Sequence, residues 1–203
     1  MKIVNVEVIP LTGGTVDAGW PQGHEPEEDL NTLSEVKTDS GLTGVGSCFT
    51  SGSLVQGAMK LLWPLLQGES AVEPQRVTDQ LRESTFWQGR GGAVEHAISG
   101  LDIALWDIKG KALEQPVWKL LGGHRDRVPT YASGALRRDL THDRAAEAAH
   151  TLVKKGFNEM KTQMSLPGNP PPPQENKRLQ AVSEPAPLHI CSCRPPSDTR
   201  RRR

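Results

Sequence analysis

The 203-residue sequence is short of cysteine, of net charge and of long apolar runs, and each shortage excludes a class of protein. Its three cysteines are an odd number without disulfide-like spacing, which argues against a secreted disulfide scaffold. Basic and acidic residues balance at 24 each, so the overall charge indicates neither a nucleic-acid nor a membrane partner. The N-terminus lacks the apolar run of a signal peptide, and no stretch approaches the roughly 20 apolar residues that cross a bilayer. We therefore expect a soluble, cytoplasmic protein.

The balanced charge conceals an uneven distribution along the chain. Arg194 and Arg200–Arg203 lie in the last ten residues, so residues 1–193 hold 19 basic and 23 acidic residues, a net charge of −4. The terminal arginines have no aromatic residues between them and offer only non-specific charge. We expect no nucleic-acid partner.

The first 50 residues have the patterns of a small antiparallel sheet. Residues 3–9 alternate with the period of a strand and place three valines on one face, Val4, Val6 and Val8. Residues 33–38 and 42–46 flank the sequence DSG, which predicts a hairpin in which Gly41 takes the unusual backbone angles. Between these patterns lies a long, glycine-rich polar loop of the kind that is usually a functional lid or disordered.

Helical patterns follow. Apolar residues recur at helical spacing from about residue 51 to Pro64 or soon after, and Pro74 suits the first turn of a second helix, whose apolar face would continue through Phe86. The strongest pattern covers residues 93–113. The first ~120 residues thus predict an antiparallel sheet followed by a helical layer, an α+β arrangement.

Near residue 126 the sequence pattern changes to alternating strands and helices. Residues 128–134 predict a short strand, residues 141–156 a helix with Thr141 as N-cap and Gly156 as its stop, and residues 157–163 a second strand. Strand, helix and strand at this spacing form a βαβ unit with parallel strands.

After residue 163 the sequence patterns of regular secondary structure become weaker. One more helix is predicted from about Pro173 to Val182. Residues 183–203 show no usable periodicity, and they are either a disordered tail or translation out of frame. We divide the chain into a domain at 1–125, the start of a second domain at 126–182, and the tail at 183–203.

Residues 97–123, AISGLDIALWDIKGKALEQPVWKLLGG, closely resemble the signature of the mandelate racemase/muconate-lactonizing branch of the enolase superfamily. The matching positions include Ala97, the run Ala104–Asp107, Gly110 and Lys111, and then the residues Pro116, Val117, Leu120, Leu121, Gly122 and Gly123. Residues 41–47 also look like the family's glycine-rich strand, with Ser47 where glutamate is usual. We expect most of these residues to be structural, because apolar stripes at helical spacing usually form a core.

The resemblance implies an α+β capping domain, an antiparallel sheet plus a helical layer, followed by the first βα units of an incomplete (β/α) barrel. It also implies a Mg²⁺-dependent enzyme of the acid-sugar dehydratase or racemase type, a hydro-lyase or isomerase, in which a base removes the proton alpha to a substrate carboxylate. Preorganised cations must neutralise the charge that develops on the carboxylate oxygens.

Lys161 is the candidate catalytic residue. The resemblance aligns Lys161 with the first lysine of a K-x-K pair at the end of the second barrel strand, and it aligns Gln163 with the second, which is the usual base. Glutamine accepts no proton, so Gln163 would only donate or accept hydrogen bonds to the substrate. Lys161 is either a residue of the former active site or a solvated lysine.

Two residues of the long polar loop are candidates for substrate binding, because the family's corresponding loop closes over the barrel mouth. Trp20 could stack on a polyhydroxy acid, and His24 could form hydrogen bonds with it. A solvated loop with an exposed aromatic residue is an equal alternative.

The metal ligands of the family have no counterpart here. The resemblance calls for Asp, Glu and Glu at the ends of three later strands, whereas the acids after Lys161 are Glu175, Glu184 and Asp198, none at the end of a predicted strand. The triplet His189, Cys191 and Cys193 lacks the fourth ligand of a zinc site. We expect no metal bound by this chain, although the full-length family form would bind Mg²⁺.

The sequence therefore predicts a truncated member of this family, inactive alone, whose full-length form acts on a small-molecule carboxylate, a sugar acid. We expect no membrane partner, and a homo-oligomer is possible. The alternative is a non-catalytic capping or interaction module that pairs with a related full-length subunit.

Overall fold

The computed structural model of the protein describes residues 1–11, 31–89, 91–137, 140–163, 172–183 and 189–193. The described residues divide at Asp126 into two compact units, here called the N-terminal and the C-terminal unit. Within the described residues, no helix is long and apolar enough to cross a membrane.

The N-terminal unit has three strands, β1 (Ile3–Pro10), β2 (Asn31–Thr38) and β3 (Thr43–Phe49), in the order β1-β2-β3. Both pairings are antiparallel, and the predicted β2–β3 hairpin is confirmed, with Gly41 at a φ of +83°. The buried face of the sheet packs against α1 (Gly52–Leu66) and α3 (Ala93–Ala112), and α2 (Pro74–Ser84) packs against these two helices. A short helix α4 (Val117–Leu120) follows. The predicted α+β arrangement is confirmed.

A β-bulge changes which residues of β1 face the core from those that the sequence predicted. The register slips between Ile3 and Asn5, so Val4 has no place in the alternating pattern. Ile3 is buried and Val6 and Val8 pack against the core, whereas Val4 is 49% exposed. The prediction that Val4 shares the face of Val6 and Val8 is wrong, because one extra residue reverses the alternation of a strand.

The second helix is also shorter than its apolar pattern. α2 begins at Pro74 as predicted but ends at Ser84, and Phe86 belongs to a separate 3₁₀ turn, Phe86–Gln88, where it is 47% exposed. The Thr85 hydroxyl donates to the Leu81 carbonyl and thereby helps to end the helix. Phe86 therefore does not extend the buried face formed by Val77 and Leu81.

The C-terminal unit is a parallel sheet with two helices. Its described elements are β4 (Ala132–Leu136), α5 (His142–Lys154), β5 (Glu159–Gln163), α6 (Pro172–Ser183) and β6 (His189–Cys193), and the strand order is β4-β5-β6. Both pairings are parallel, and the pairing of β4 with β5 is the one that the βαβ pattern predicted. The predicted N-cap of α5 is present, since the Thr141 hydroxyl accepts from the Arg144 amide at 3.4 Å, and Gly156 has a φ of +91°.

Strand β6 lies inside the segment 183–203, for which the sequence predicted no regular structure. The prediction is wrong for His189–Cys193, which pair with Glu159–Gln163. Five residues are too few to show a period, and a partner strand that is distant in the sequence decides their pairing.

Candidate active site

Lys161 lies on the face of the parallel sheet that is turned away from α5 and α6. Met160 and Thr162, its two neighbours in β5, are buried, and Met160 packs in a cluster with Ala149 of α5 and Val182 of α6. Because successive residues of a strand point to opposite faces, Lys161 points to the other side. Gln163 is the last residue of β5, at the carboxyl end of the strand.

The Lys161 side chain is half-buried, and it forms no ion pair or hydrogen bond with any residue that the structure describes. Its nearest charged neighbour along the same strand is Glu159, at the opposite end of β5. An ammonium group without a protein partner can bind a carboxylate ligand through charge-assisted hydrogen bonds. The arrangement can therefore hold an anion, but nothing near Lys161 in the described residues orients it as a base.

The described residues do not fit the Mg²⁺ that the resemblance implies. The last residues of β4, β5 and β6 are Leu136, Gln163 and Cys193, and none of them is a carboxylate. Mg²⁺ prefers oxygen ligands, usually one or two carboxylates with water. Across the described part of the chain, no group of three His, Cys, Asp or Glu residues is placed to hold a metal ion.

The other two candidates, Trp20 and His24, lie outside the described residues. Their role in substrate binding remains a prediction from the sequence.

Two signature residues of α3 have contacts that sequence reasoning missed. The Asp107 carboxylate accepts a hydrogen bond from the Val45 amide at 3.0 Å, and the Lys111 ammonium donates to the Thr43 carbonyl at 2.7 Å. The two side chains also pair with each other at 2.8 Å. Only this last contact follows from the spacing, since residues four apart lie on the same face of a helix. Together they satisfy backbone groups on the outer edge of β3, which would otherwise be open to another strand.

The small residues of the signature let α3 lie directly on β3. A Cβ atom at Gly46 would be 1.9 Å from the Gly100 carbonyl oxygen, and one at Gly44 would be 2.1 Å from the Ala104 carbonyl oxygen. No side chain larger than hydrogen fits at either glycine unless the helix moves. The signature therefore fixes how the N-terminal unit packs, and it does not form a reaction centre.

Three acidic groups among the described residues of the N-terminal unit have shifted pKa values. Burial raises the pKa of Asp102 on α3, and the nearby Arg82 partly opposes this effect. A hydrogen bond from the Arg76 guanidinium, at 2.7 Å, lowers the pKa of Glu69. Burial raises the pKa of the Cys48 thiol, which favours the unreactive protonated form. These shifts reflect packing and ion pairing.

The fold defines the class of the chain: an α+β capping domain followed by the first strands of a (β/α) barrel. Residues 27–122 match the family model "Mandelate racemase / muconate lactonizing enzyme, N-terminal domain", and the chain belongs to that family. The resemblance inferred from the signature is thereby confirmed.

Relatives of the chain include proteins named as sugar-acid dehydratases. The chain is 34% identical to the arabinonate dehydratase of Saccharolobus solfataricus over 157 residues, which cover 74% of this chain and 41% of the relative. It is 38% identical over 141 residues to a D-galactonate dehydratase family member of Paenibacillus, which covers 66% of this chain and 33% of the relative.

Solved structures agree with this assignment. A crystal structure of an enolase superfamily member from Salmonella Typhimurium superposes with a TM-score of 0.75 and 25% identity over 94% of this chain and 54% of the other. The chain thus spans about half the length of the solved structure and less than half that of the two relatives.

Proposed function

We propose that this sequence supplies the capping domain and the first barrel strands of a Mg²⁺-dependent acid-sugar dehydratase or racemase. The observation that carries the proposal is the position of Lys161, on the face of its parallel strand turned away from the described helices, in a chain that belongs to this family. The relatives' activity on sugar acids supports a carboxylate substrate.

Lys161 binds the carboxylate group of the substrate, and Gln163 forms a hydrogen bond to it. Lys161 is suited to this task because the residue is half-buried and its ammonium group has no partner among the described residues. Trp20 and His24 of the capping loop contact the sugar hydroxyl groups. When Mg²⁺ is bound in the full-length form, it supplies electrostatic stabilisation of the developing negative charge.

The chain by itself does not catalyse the reaction. Its described strands end without carboxylates, and a complete (β/α)₈ barrel needs about 250 residues, more than the whole chain contains. The base and the metal ligands would come from strands that have no counterpart in this sequence.

A chimaera tests the proposal. Residues 31–163 of this chain would replace the matching part of the S. solfataricus arabinonate dehydratase, and Mg²⁺-dependent arabinonate dehydration would be measured. We expect turnover, and we expect Lys161→Met to reduce it about 100-fold, the usual effect of losing one group that stabilises charge. Lys155→Met removes an exposed lysine after α5 and serves as the matched control.

Two outcomes would count against this role. A chimaera with native circular dichroism but no turnover would exclude the chain from the enzyme, and an active chimaera that tolerates Lys161→Met would exclude Lys161. If the unmodified chain instead co-purified with a co-expressed full-length dehydratase, the alternative of a non-catalytic module pairing with a full-length subunit would be favoured.

A further inference from the structure

A groove of about 380 Å³ runs along helix α5 of the C-terminal unit. Leu140 lines one side, and the other side includes a stripe of α5 residues, Glu147, Ala148, Thr151, Leu152 and Lys155. Residues at these spacings lie on one face of a helix. Ala148 and Leu152 are half-buried against the core, whereas Glu147, Thr151 and Lys155 are exposed. The groove therefore has an apolar floor with an acidic group near one end and a basic group near the other.

The groove lies beside an open edge of the parallel sheet. Ala135 of β4 also lines it, and β4 is the first strand in the order β4-β5-β6. Within the described residues, no strand pairs with the other side of β4, and no helix except α5 lines the groove. An edge strand presents unpaired backbone groups, and proteins commonly cover such an edge. This side of the C-terminal unit is therefore a candidate contact surface.

The two charged residues of the stripe have no ion-pair partner among the described residues. Glu147 and Lys155 are eight residues apart, roughly 12 Å along the axis of a helix, which is too far for them to pair with each other. Thr151 lies midway between them. A second α5 helix that ran antiparallel across Thr151 would bring each Glu147 next to the other copy's Lys155.

We propose that this face of α5 is an interface between two copies of the chain, in which the two α5 helices pack antiparallel about a two-fold axis at Thr151. A two-fold interface uses the same patch twice, so the patch must be self-complementary. The stripe meets this condition, because the axis creates two ion pairs between Glu147 and Lys155 and places Ala148 and Leu152 near the centre of the contact. The small side chains of Ala148 and Thr151 allow the helices to approach closely.

The charges decide how the two helices run. In a parallel pair, each Glu147 would face the other Glu147 and each Lys155 the other Lys155, and like charges that face each other across an interface are costly. Arg144 also lines the groove, and it would lie just past the last turn of the antiparallel partner helix, whose free carbonyl groups attract cations. One pair of short helices buries less surface than a standard interface of about 1,600 Å², so we expect a weak, reversible dimer.

Sedimentation equilibrium of the purified full chain, at concentrations up to about 1 mM, measures the dissociation constant of the dimer. Glu147→Lys and Lys155→Glu each replace two attractive pairs with two repulsive ones, so each should weaken dimerisation about tenfold or more. The double reversal, Glu147→Lys with Lys155→Glu, restores both pairs with their charges exchanged and should dimerise nearly as the unmodified chain does. Lys177→Glu is the matched control for net charge, because Lys177 is exposed on α6 and does not line the groove.

The double reversal distinguishes this interface from other causes of association. Because Glu147 and Lys155 cannot pair within one helix, only contact between copies can restore dimerisation. Far-UV circular dichroism identifies a single variant that has lost helix, and the other single variant is then compared with the double reversal.

Three results would overturn the proposal. The chain could remain monomeric, which would leave the groove to a helix of a longer related chain. The single reversals could dimerise as Lys177→Glu does, or the double reversal could stay as weak as the single ones. None of these results depends on turnover, so failure here is distinct from failure of the proposed enzyme role.

Discussion

The two units of the chain bury very different amounts of apolar surface. Among the described residues, the core of the N-terminal unit contains 17 buried hydrophobic residues, whereas that of the C-terminal unit contains six. The first unit has an antiparallel sheet with one face on helices, and such a sheet can leave its other face to solvent. The second has a parallel sheet, a type that is almost always covered on both faces. The N-terminal unit is thus far closer to a self-sufficient domain.

The residues that identify the family and the residue proposed for its chemistry lie in different units. The signature residues that identify the family lie in the well-packed unit, where they bring α3 onto β3 and satisfy the edge of that strand. The candidate site residue, Lys161, lies in the smaller unit. The residues that identify a family by its packing can therefore lie in a different unit from the residue proposed for its chemistry.

The largest effect on stability is expected from Gly46→Ala, which disrupts the packing of α3 on β3 in the N-terminal unit. The new methyl group would be 1.9 Å from the Gly100 carbonyl oxygen, and backbone cannot move aside as a flexible side chain would. We expect a loss of about 3 kcal/mol or more in the free energy of unfolding, measured by urea denaturation. Gly57→Ala, on open helix surface, should instead be neutral or stabilising. Equal stability of the two variants would contradict the tight α3–β3 contact.

The next largest effect tests whether the C-terminal unit can unfold while the N-terminal unit stays folded. Met160→Ala removes a large buried side chain from the small core of the C-terminal unit and should cost about 2–4 kcal/mol. We propose that residues 1–125 fold alone, so limited proteolysis of Met160→Ala should degrade residues after about 126 and spare the rest. Leu101→Ala, a matched change in the other core, should not show this selectivity. Uniform degradation of Met160→Ala would show that the units unfold together.

A smaller effect is expected from Asp107→Ala. The change leaves the Val45 amide without its acceptor and removes the partner of Lys111, and we expect a loss of about 1–2 kcal/mol, since hydrogen bonds to charged groups exceed neutral ones. Thermal unfolding measures the loss, and light scattering should detect association through the opened edge of β3. Glu83→Ala is the control, because it removes an exposed helix carboxylate that has no partner among the described residues. A loss no greater than that of this control would mean that the edge contacts are not stabilising.

The smallest expected effect is on how stability depends on pH. Burial raises the pKa of Asp102, so its ionised form costs the folded state stability at neutral pH. Protonation relieves this cost as the pH falls through the folded pKa, and none remains below the unfolded pKa, near about 4. Asp102→Asn should therefore raise the melting temperature slightly at pH 7, with a difference that shrinks toward pH 4. A difference that stayed constant with pH, or grew as the pH fell, would contradict this assignment.

Local sequence patterns were sufficient to predict the secondary structure where a single strand or helix periodicity was clear. The hairpin of β2 and β3, the long helix α3 and the parallel pairing of β4 with β5 all followed from spacing and turn residues. The position of Lys161 on a strand was predictable in the same way, because the neighbouring buried residues alternate with it.

Contacts between distant residues were not predictable. The bulge at Val4 depends on pairing with β2, and the contacts of Asp107 and Lys111 join residues 62 and 68 positions apart. Strand β6 exists because β5 offers it an edge, which five residues of sequence cannot reveal. Partners of Lys161 could not be predicted either, and none occurs among the described residues.

The most direct test of the account is an activity measurement on the purified chain alone. Arabinonate and D-galactonate, the substrates in the names of the relatives, would be incubated with the chain and Mg²⁺, and loss of substrate and formation of a dehydrated keto acid would be followed by mass spectrometry. The account predicts no turnover above that of a boiled sample. Dehydration of either acid that requires Mg²⁺ and the folded chain would contradict the proposal that the chain does not catalyse the reaction by itself.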